Sequence, residues 1–125
     1  MIDVIWVDDR AKKDIRRPTQ ELLPPEIAEK LPSLYSGEKL GLNAVAQVKF
    51  FTPDGAWTWY ASEYDGEDIC FGLVVGFEIE LGYFSMAELK EVRGALGLPI
   101  ERDRFFTPQT LGELQAKHLH ERGAG

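Results

Sequence analysis

Glu78 and Glu80, separated by one residue, are the pair whose type and spacing come nearest to catalysis. On an extended strand they share a face, with Cα atoms about 6.7 Å apart. Two carboxylates at that spacing suit the acid and base of glycoside hydrolysis, or a Mg²⁺ site. Glu63, expected on a neighbouring strand, is placed to reach the same face. Catalysis also needs a cleft that drives two carboxyl pKa values apart, and no sequence feature supplies one, so no catalytic residue is assigned. No metal ligand is assigned either. His118 and His120 stand two apart on an expected helix and point about 200° apart around it, which is not the i, i+4 pair of a zinc helix. Cys70, the only cysteine, has no histidine motif around it and reads as a small buried residue. No cofactor motif is present.

Charge is more informative than chemistry. The chain carries 21 acids against 14 bases, a formal net charge of −7. Between Phe50 and Leu89 stand Asp54, Glu63, Asp65, Glu67, Asp68, Glu78, Glu80 and Glu88, with no Lys or Arg. Carboxylates spaced along a rigid sheet and at a helix N-terminus can stand in for phosphates and steer association with a basic groove. Trp57 and Trp59 are expected on one strand face and Tyr60 on the other. Aromatics on a sheet can stack unpaired bases, but base binding also needs nearby cations, and here acids surround the rings. Direct nucleic-acid binding is therefore disfavoured, and Trp57 and Trp59 join the acids as candidates for protein contact. The reverse imbalance occurs from Arg10 to Arg17, where Arg10, Lys12, Lys13, Arg16 and Arg17 face only Asp14.

The elements that position these residues can be traced from turn and capping signals. Ile2 to Val7 reads as a short strand and the basic stretch as an arm. Pro24-Pro25 opens a short helix, Glu26 to Leu31, that stops before Pro32. Ala44 to Thr52 is a strand candidate, Pro53-Asp54-Gly55 a turn, and Ala56 to Tyr64 a second strand. After a turn at Asp65-Gly66, alternation is strict from Ile69 to Leu81, which predicts a third strand, or two bent near Gly76. Ser85-Met86-Ala87-Glu88 and Thr110-Leu111-Gly112-Glu113 have capping-box form. The first predicts a helix to about Ala95, with Met86, Leu89, Val92 and Leu96 on its apolar stripe. The second predicts a helix to about Glu121, striped by Leu111, Leu114 and Leu119. Arg104 to Thr107 is expected as a short edge strand, and the flanking Glu101-Arg102-Asp103 as a structural clasp. The expected fold class is α+β, an antiparallel three- to four-stranded meander with two or three helices packed on one face.

The 125 residues, 44% hydrophobic and 28% charged, are ordinary for one globular domain. The expected organisation is an N-terminal strand and basic arm over 1–18, a single α+β domain over 19–122 and a disordered tail over 123–125. A chain start without an n-region and apolar h-region, one cysteine and no long apolar run predict a cytoplasmic protein off the membrane. Oligomeric state has no sequence signal.

Four segments occur in a suggestive order: Lys49-Phe50-Phe51-Thr52-Pro53-Asp54, Trp57-Thr58-Trp59-Tyr60, Gly82-Tyr83-Phe84-Ser85, and Gly97-Leu98-Pro99-Ile100-Glu101-Arg102-Asp103. Together they resemble a family of small bacterial domains of unknown function carried on plasmids, integrative elements and phages. The resemblance covers roughly Leu22 to Leu114 and implies a context of mobile DNA and conflict with host defence, without an activity or a site. The expectation that follows is a non-enzymatic acidic binding protein competing for a nucleic-acid-binding groove of a nuclease or DNA-processing complex. The alternatives are an accessory module for mobile-element replication or transfer that works through its aromatic strand, and a carboxylate-dependent hydrolase.

Overall fold

The structure is a computed structural model in which residues 21–123 are described. The expected N-terminal strand, the basic arm and residues 124–125 lie outside the described residues. Among the described residues seven strands and three α-helices follow in chain order: α1 (Pro25–Ala28), β1 (Val45–Ala46), β2 (Val48–Phe51), β3 (Thr58–Tyr64), β4 (Ile69–Val75), β5 (Ile79–Ser85), α2 (Met86–Glu91), β6 (Glu101–Arg102), β7 (Gln109–Thr110) and α3 (Leu111–Gly123). A five-stranded antiparallel sheet has the order β5-β4-β3-β2-β6, and β1 with β7 makes a second, two-stranded sheet. The α+β class holds, with one strand more in the main sheet than the meander alone provides.

The meander forms where turn chemistry and alternation agree. Asp65 Oδ1 accepts from the backbone N–H groups of Glu67, Asp68 and Ile69 at 2.8, 2.8 and 3.0 Å, an Asx arrangement that closes the β3–β4 turn with Gly66 at φ 88°. The long alternating run is a hairpin rather than one strand. Val75 pairs with Ile79, so the turn consumes Gly76, Phe77 and Glu78. An odd turn length preserves parity. Leu73, Val75, Ile79 and Leu81 therefore stay on one face although the chain reverses between them.

Both faces of the sheet are covered, which corrects the expectation of helices on one side. On one face Val48, Phe50, Trp59, Ala61, Cys70 and Phe84 pack with Leu22 and Leu31 beside α1, and with Met86 and Leu89 of α2. On the other, Tyr60, Leu73 and Val75 pack with Ala46 and with Leu111 and Leu114 of α3. Two adjacent buried residues, Trp59 and Tyr60, thus feed opposite cores, as a period of two requires.

Three other expectations need correction. α2 ends at Glu91 rather than near Ala95, and Val92 and Leu96 are exposed rather than on an apolar stripe. The chain there is held by Asp54, whose Oδ2 accepts from the N–H groups of Leu96 and Leu98 at 2.7 and 3.3 Å, and so cannot continue the helix. Leu119 is exposed on α3, and His118 takes the inward position. The edge strand is β6 at Glu101–Arg102, while Arg104 and Phe105 form a turn.

Both capping boxes cap their helices. Ser85 Oγ accepts from Glu88 N at 3.2 Å. Thr110 Oγ1 accepts from Glu113 N at 3.1 Å while Glu113 Oε1 accepts from Thr110 N at 3.0 Å, the full reciprocal pair.

Candidate functional site

A bulge in β3 decides where Glu63 goes. Ala61 faces Gly72 and Glu63 faces Phe71, so Ser62 is the extra residue and alternation slips by one. Glu63 is thereby turned to the face of Phe71, away from Glu80, which pairs with Val74 on the opposite face. It is 4% exposed, and its two carboxylate oxygens accept from Tyr35 N and Gly37 N, each at 2.8 Å. Glu63 therefore folds the 33–43 loop onto the sheet and holds Tyr35 at φ 70°. Glu78 sits in the β4–β5 turn and only Glu80 in a strand, so the pair is not on one strand face. The three carboxylates of the hydrolase alternative are not brought together.

The other acids divide by location. Asp54 spans two loops, as above, and its Oδ1 is buried without a hydrogen-bond partner among the described residues. Asp68 joins the β3–β4 turn to α2: its Oδ2 accepts from Ser85 Oγ at 2.7 Å and its Oδ1 from Ala87 N at 2.8 Å. The Ser85 hydroxyl first, and then the Ala87 N–H, hold the Asp68 carboxyl below the usual carboxylate range. The N–H groups of Asp68 and Glu67 do the same for Asp65. Both are ionised at neutral and mildly acidic pH. With exposed Glu67 and Glu88 they form one acidic end of the sheet. Glu78 and Glu80 lie at the other, separated by the length of β4, about 20 Å at strand rise.

Aromatic side chains gather at the Glu78 end. Trp57 stacks on Trp59 with centroids 5.8 Å apart, and Phe77 meets Trp57 edge-on at 5.4 Å. Trp59 is buried, Trp57 is 36% exposed, and Phe77 at the tip of the turn is 88% exposed. The tip is held from below. Arg122 Nη1 of α3 donates to Phe77 O at 3.0 Å and its Nη2 donates to Gly76 O. Gly76 leaves the space that the Trp57 ring occupies, since a Cβ there would lie 2.2 Å from it. Phe77 is the residue that sequence reasoning missed. Placed on the buried side of an alternating run, it looks like core until the turn is located.

His118 was also missed: its spacing from His120 rules out a zinc pair, and no other role is legible for it. Its Nε2 lies 2.7 Å from Tyr60 Oη and its Nδ1 3.6 Å from Glu121 Oε1. Burial, with Glu121 and Asp103 adding to it, pushes the Tyr60 hydroxyl up to about 12, so it is protonated at neutral pH; with the His118 proton on Nδ1, the nitrogen facing Glu121, Tyr60 O–H donates to Nε2. Burial lowers the His118 pKa, which favours the neutral ring. Cys70 is fully buried, and burial pushes its thiol up to about 12, which leaves it unreactive at neutral pH. Among the described residues no group of three His, Cys, Asp or Glu side chains is arranged to hold a metal ion, and no helix is long and apolar enough to cross a membrane.

Among the exposed features are an aromatic tip rimmed by Glu78 and Glu80 and a separate acidic end built from Asp65, Glu67, Asp68 and Glu88; Phe105 and Leu96 are exposed elsewhere, but without the stacked rings that back Phe77. A family model described as protein of unknown function (DUF2958) matches residues 22–121. No curated protein and no solved structure matches. The matched span takes in the whole five-stranded sheet and nearly all of α3, and the chain belongs to the DUF2958 family.

Proposed function

We propose that this protein is a non-enzymatic docking protein of mobile genetic elements, acting in the cytoplasm, whose aromatic tip seats on a basic surface of a nuclease or other DNA-processing complex. The observation that carries this is Phe77, an almost fully exposed phenylalanine on a turn clamped by Arg122 and backed by Trp57. Rigid, protruding aromatics are the side chains that most often dominate interface energetics, because they bury large area at little entropic cost. The rim carboxylates Glu78 and Glu80 select a cationic partner surface and steer encounter. A basic surface of such a complex is where nucleic acid binds, so docking there competes with it.

Mimicry of phosphates at the opposite end is the second candidate, favoured by one specific arrangement: Asp65 and Asp68 are fixed by hydrogen bonds and kept ionised. The two are separated by comparing variants as bait on host lysate. Phe77→Ala is expected to reduce partner retention at least about tenfold, as for an interface hot spot. Glu78→Gln with Glu80→Gln is expected to slow association. Retention unchanged by Phe77→Ala but lost in Glu67→Gln with Glu88→Gln would transfer the function to the acidic end.

A further inference from the structure

Among the described residues, cations gather at one cavity of an otherwise acidic protein. A cavity of about 320 Å³ is lined by Ile27, Lys30, Gln47, Val48, Arg102, Asp103, Arg104, Phe106 and Pro108. Nine Lys and Arg lie within residues 21–123, and three of them line this one cavity. Its acid is already engaged: Asp103 Oδ2 lies 3.6 Å from Lys49 Nζ, and its Oδ1 accepts from Phe105 N at 2.9 Å. Lys30 and Arg104 therefore make the lining cationic, opposite in sign to the net charge of the protein.

The cavity follows from topology. β6 has two residues and pairs only with Phe50 and Phe51 of β2. Asp103 N still donates to Lys49 O at 2.9 Å, and the chain then turns away through Phe106. Among the described residues no strand lies opposite Val48 and Gln47 on that side. Ile27 and Lys30, from α1 and the turn after it, close over the gap. Arg102 forms a fixed wall, since its Nη1 donates to Glu21 O and Leu22 O. The Phe106 ring is held from behind by Tyr60, with centroids 5.6 Å apart.

We propose that this cavity binds a small phosphate-bearing nucleoside, with the phosphate between Lys30 and Arg104 and the base against Phe106 and Pro108. The volume lies at the small end of the range for ligand sites and is far larger than an inorganic phosphate needs. A bare anion would leave the apolar walls formed by Ile27, Phe106 and Pro108 unused. A neutral nucleoside would leave Lys30 and Arg104 without an anion between them. Arg and Lys around a flat aromatic wall suit a ligand with an anionic end and a planar end. The site is independent of the aromatic tip at Phe77, so failure of either leaves the other standing.

The test is calorimetric titration of the full chain with the four 5′-mononucleotides, and with adenosine and inorganic phosphate separately. At least one mononucleotide is expected to bind at sub-millimolar concentration, and more tightly than adenosine or phosphate. Arg104→Gln and Lys30→Gln, both at exposed positions, are expected to weaken it about tenfold each with the melting temperature unchanged, the loss typical of one charge-assisted contact. Phe106→Leu is expected to weaken nucleotide binding while leaving phosphate binding as it was. The proposal is overturned if no mononucleotide binds at millimolar concentration, if phosphate alone binds as tightly as the nucleotides, or if neither charge variant changes the affinity.

Discussion

Glu63 carries a lesson at the scale of the single residue. Its type, in an acidic stretch, points to a surface charge, but a one-residue bulge turns it under a loop, where it accepts two backbone N–H bonds. Glu63→Ala leaves those donors without their acceptor and releases Tyr35 from positive φ. It is expected to cost about 2 kcal/mol, within the range for part-buried hydrogen bonds to a charged acceptor, measurable by urea unfolding. A cost below about 0.5 kcal/mol, the level of an ordinary surface change, would contradict the assigned role. His118 gives a second prediction. Its pKa lies below the ordinary value near 6.5 because burial disfavours the cation; Glu121 opposes the shift, and Lys117, Lys49 and Arg122 add to it. With the folded pKa depressed, its contribution to stability is complete above the unfolded pKa and is lost as pH falls through the folded one. Proton titration of the imidazole by NMR should give a midpoint below about 6.5; a midpoint above it would mean that the Tyr60 bond is not made to a neutral ring. Neither residue's role was legible, because a bulge and a cross-element hydrogen bond have no local sequence signature, whereas the Thr110–Glu113 box was read correctly from four residues.

At the scale of the element, the β4–β5 hairpin shows where alternation runs out. A period of two reports which face a residue takes but not the direction of the chain, and an odd turn leaves the pattern unbroken. Gly76 was the visible hint, and Phe77 owes its exposure to the reversal there. The close approach of β3 and β4 is a stronger constraint. A Cβ on Gly72 would lie 1.7 Å from the Tyr60 carbonyl oxygen and 3.1 Å from the Ala61 Cα, both backbone atoms in the middle of the sheet. Gly72→Ala must therefore part the two strands beside the bulge. It is expected to destabilise by about 3 kcal/mol or more, at the upper end for overpacking, or to prevent folding. Gly82→Ala, in the neighbouring strand with nothing within 4 Å of the added carbon, is the control and should change stability little. Equal unfolding midpoints for the two variants would contradict the β3–β4 packing. Helix ends were the least legible elements, since α2 is cut short by Asp54 reaching from a loop 42 residues earlier.

For the whole molecule, net charge and composition foretold an acidic α+β protein, but not that its features are distributed over three separate places. Carboxylates that are contiguous in sequence fall at the two ends of the sheet, because β4 carries the chain across it. Trp57, Trp59 and Phe77 collect at one of those ends. Cations that are scattered in sequence at Lys30, Arg102 and Arg104 converge where β6 stops short. Such convergence depends on strand order and strand length, which no window of residues encodes. The same separation makes the central claim measurable. A contact built on carboxylates alone weakens steeply with salt, since the Debye length falls from about 10 Å at 0.1 M to about 3 Å at 1 M. Burial of Phe77 against Trp57 and a partner is insensitive to that screening. Partner captured from host lysate on the immobilised protein should therefore remain bound through a gradient to about 1 M salt, where the Debye length is about 3 Å, and should be missing from a Phe77→Ala column run in parallel. Elution early in the gradient, with the same profile from both columns, would contradict docking through the aromatic tip.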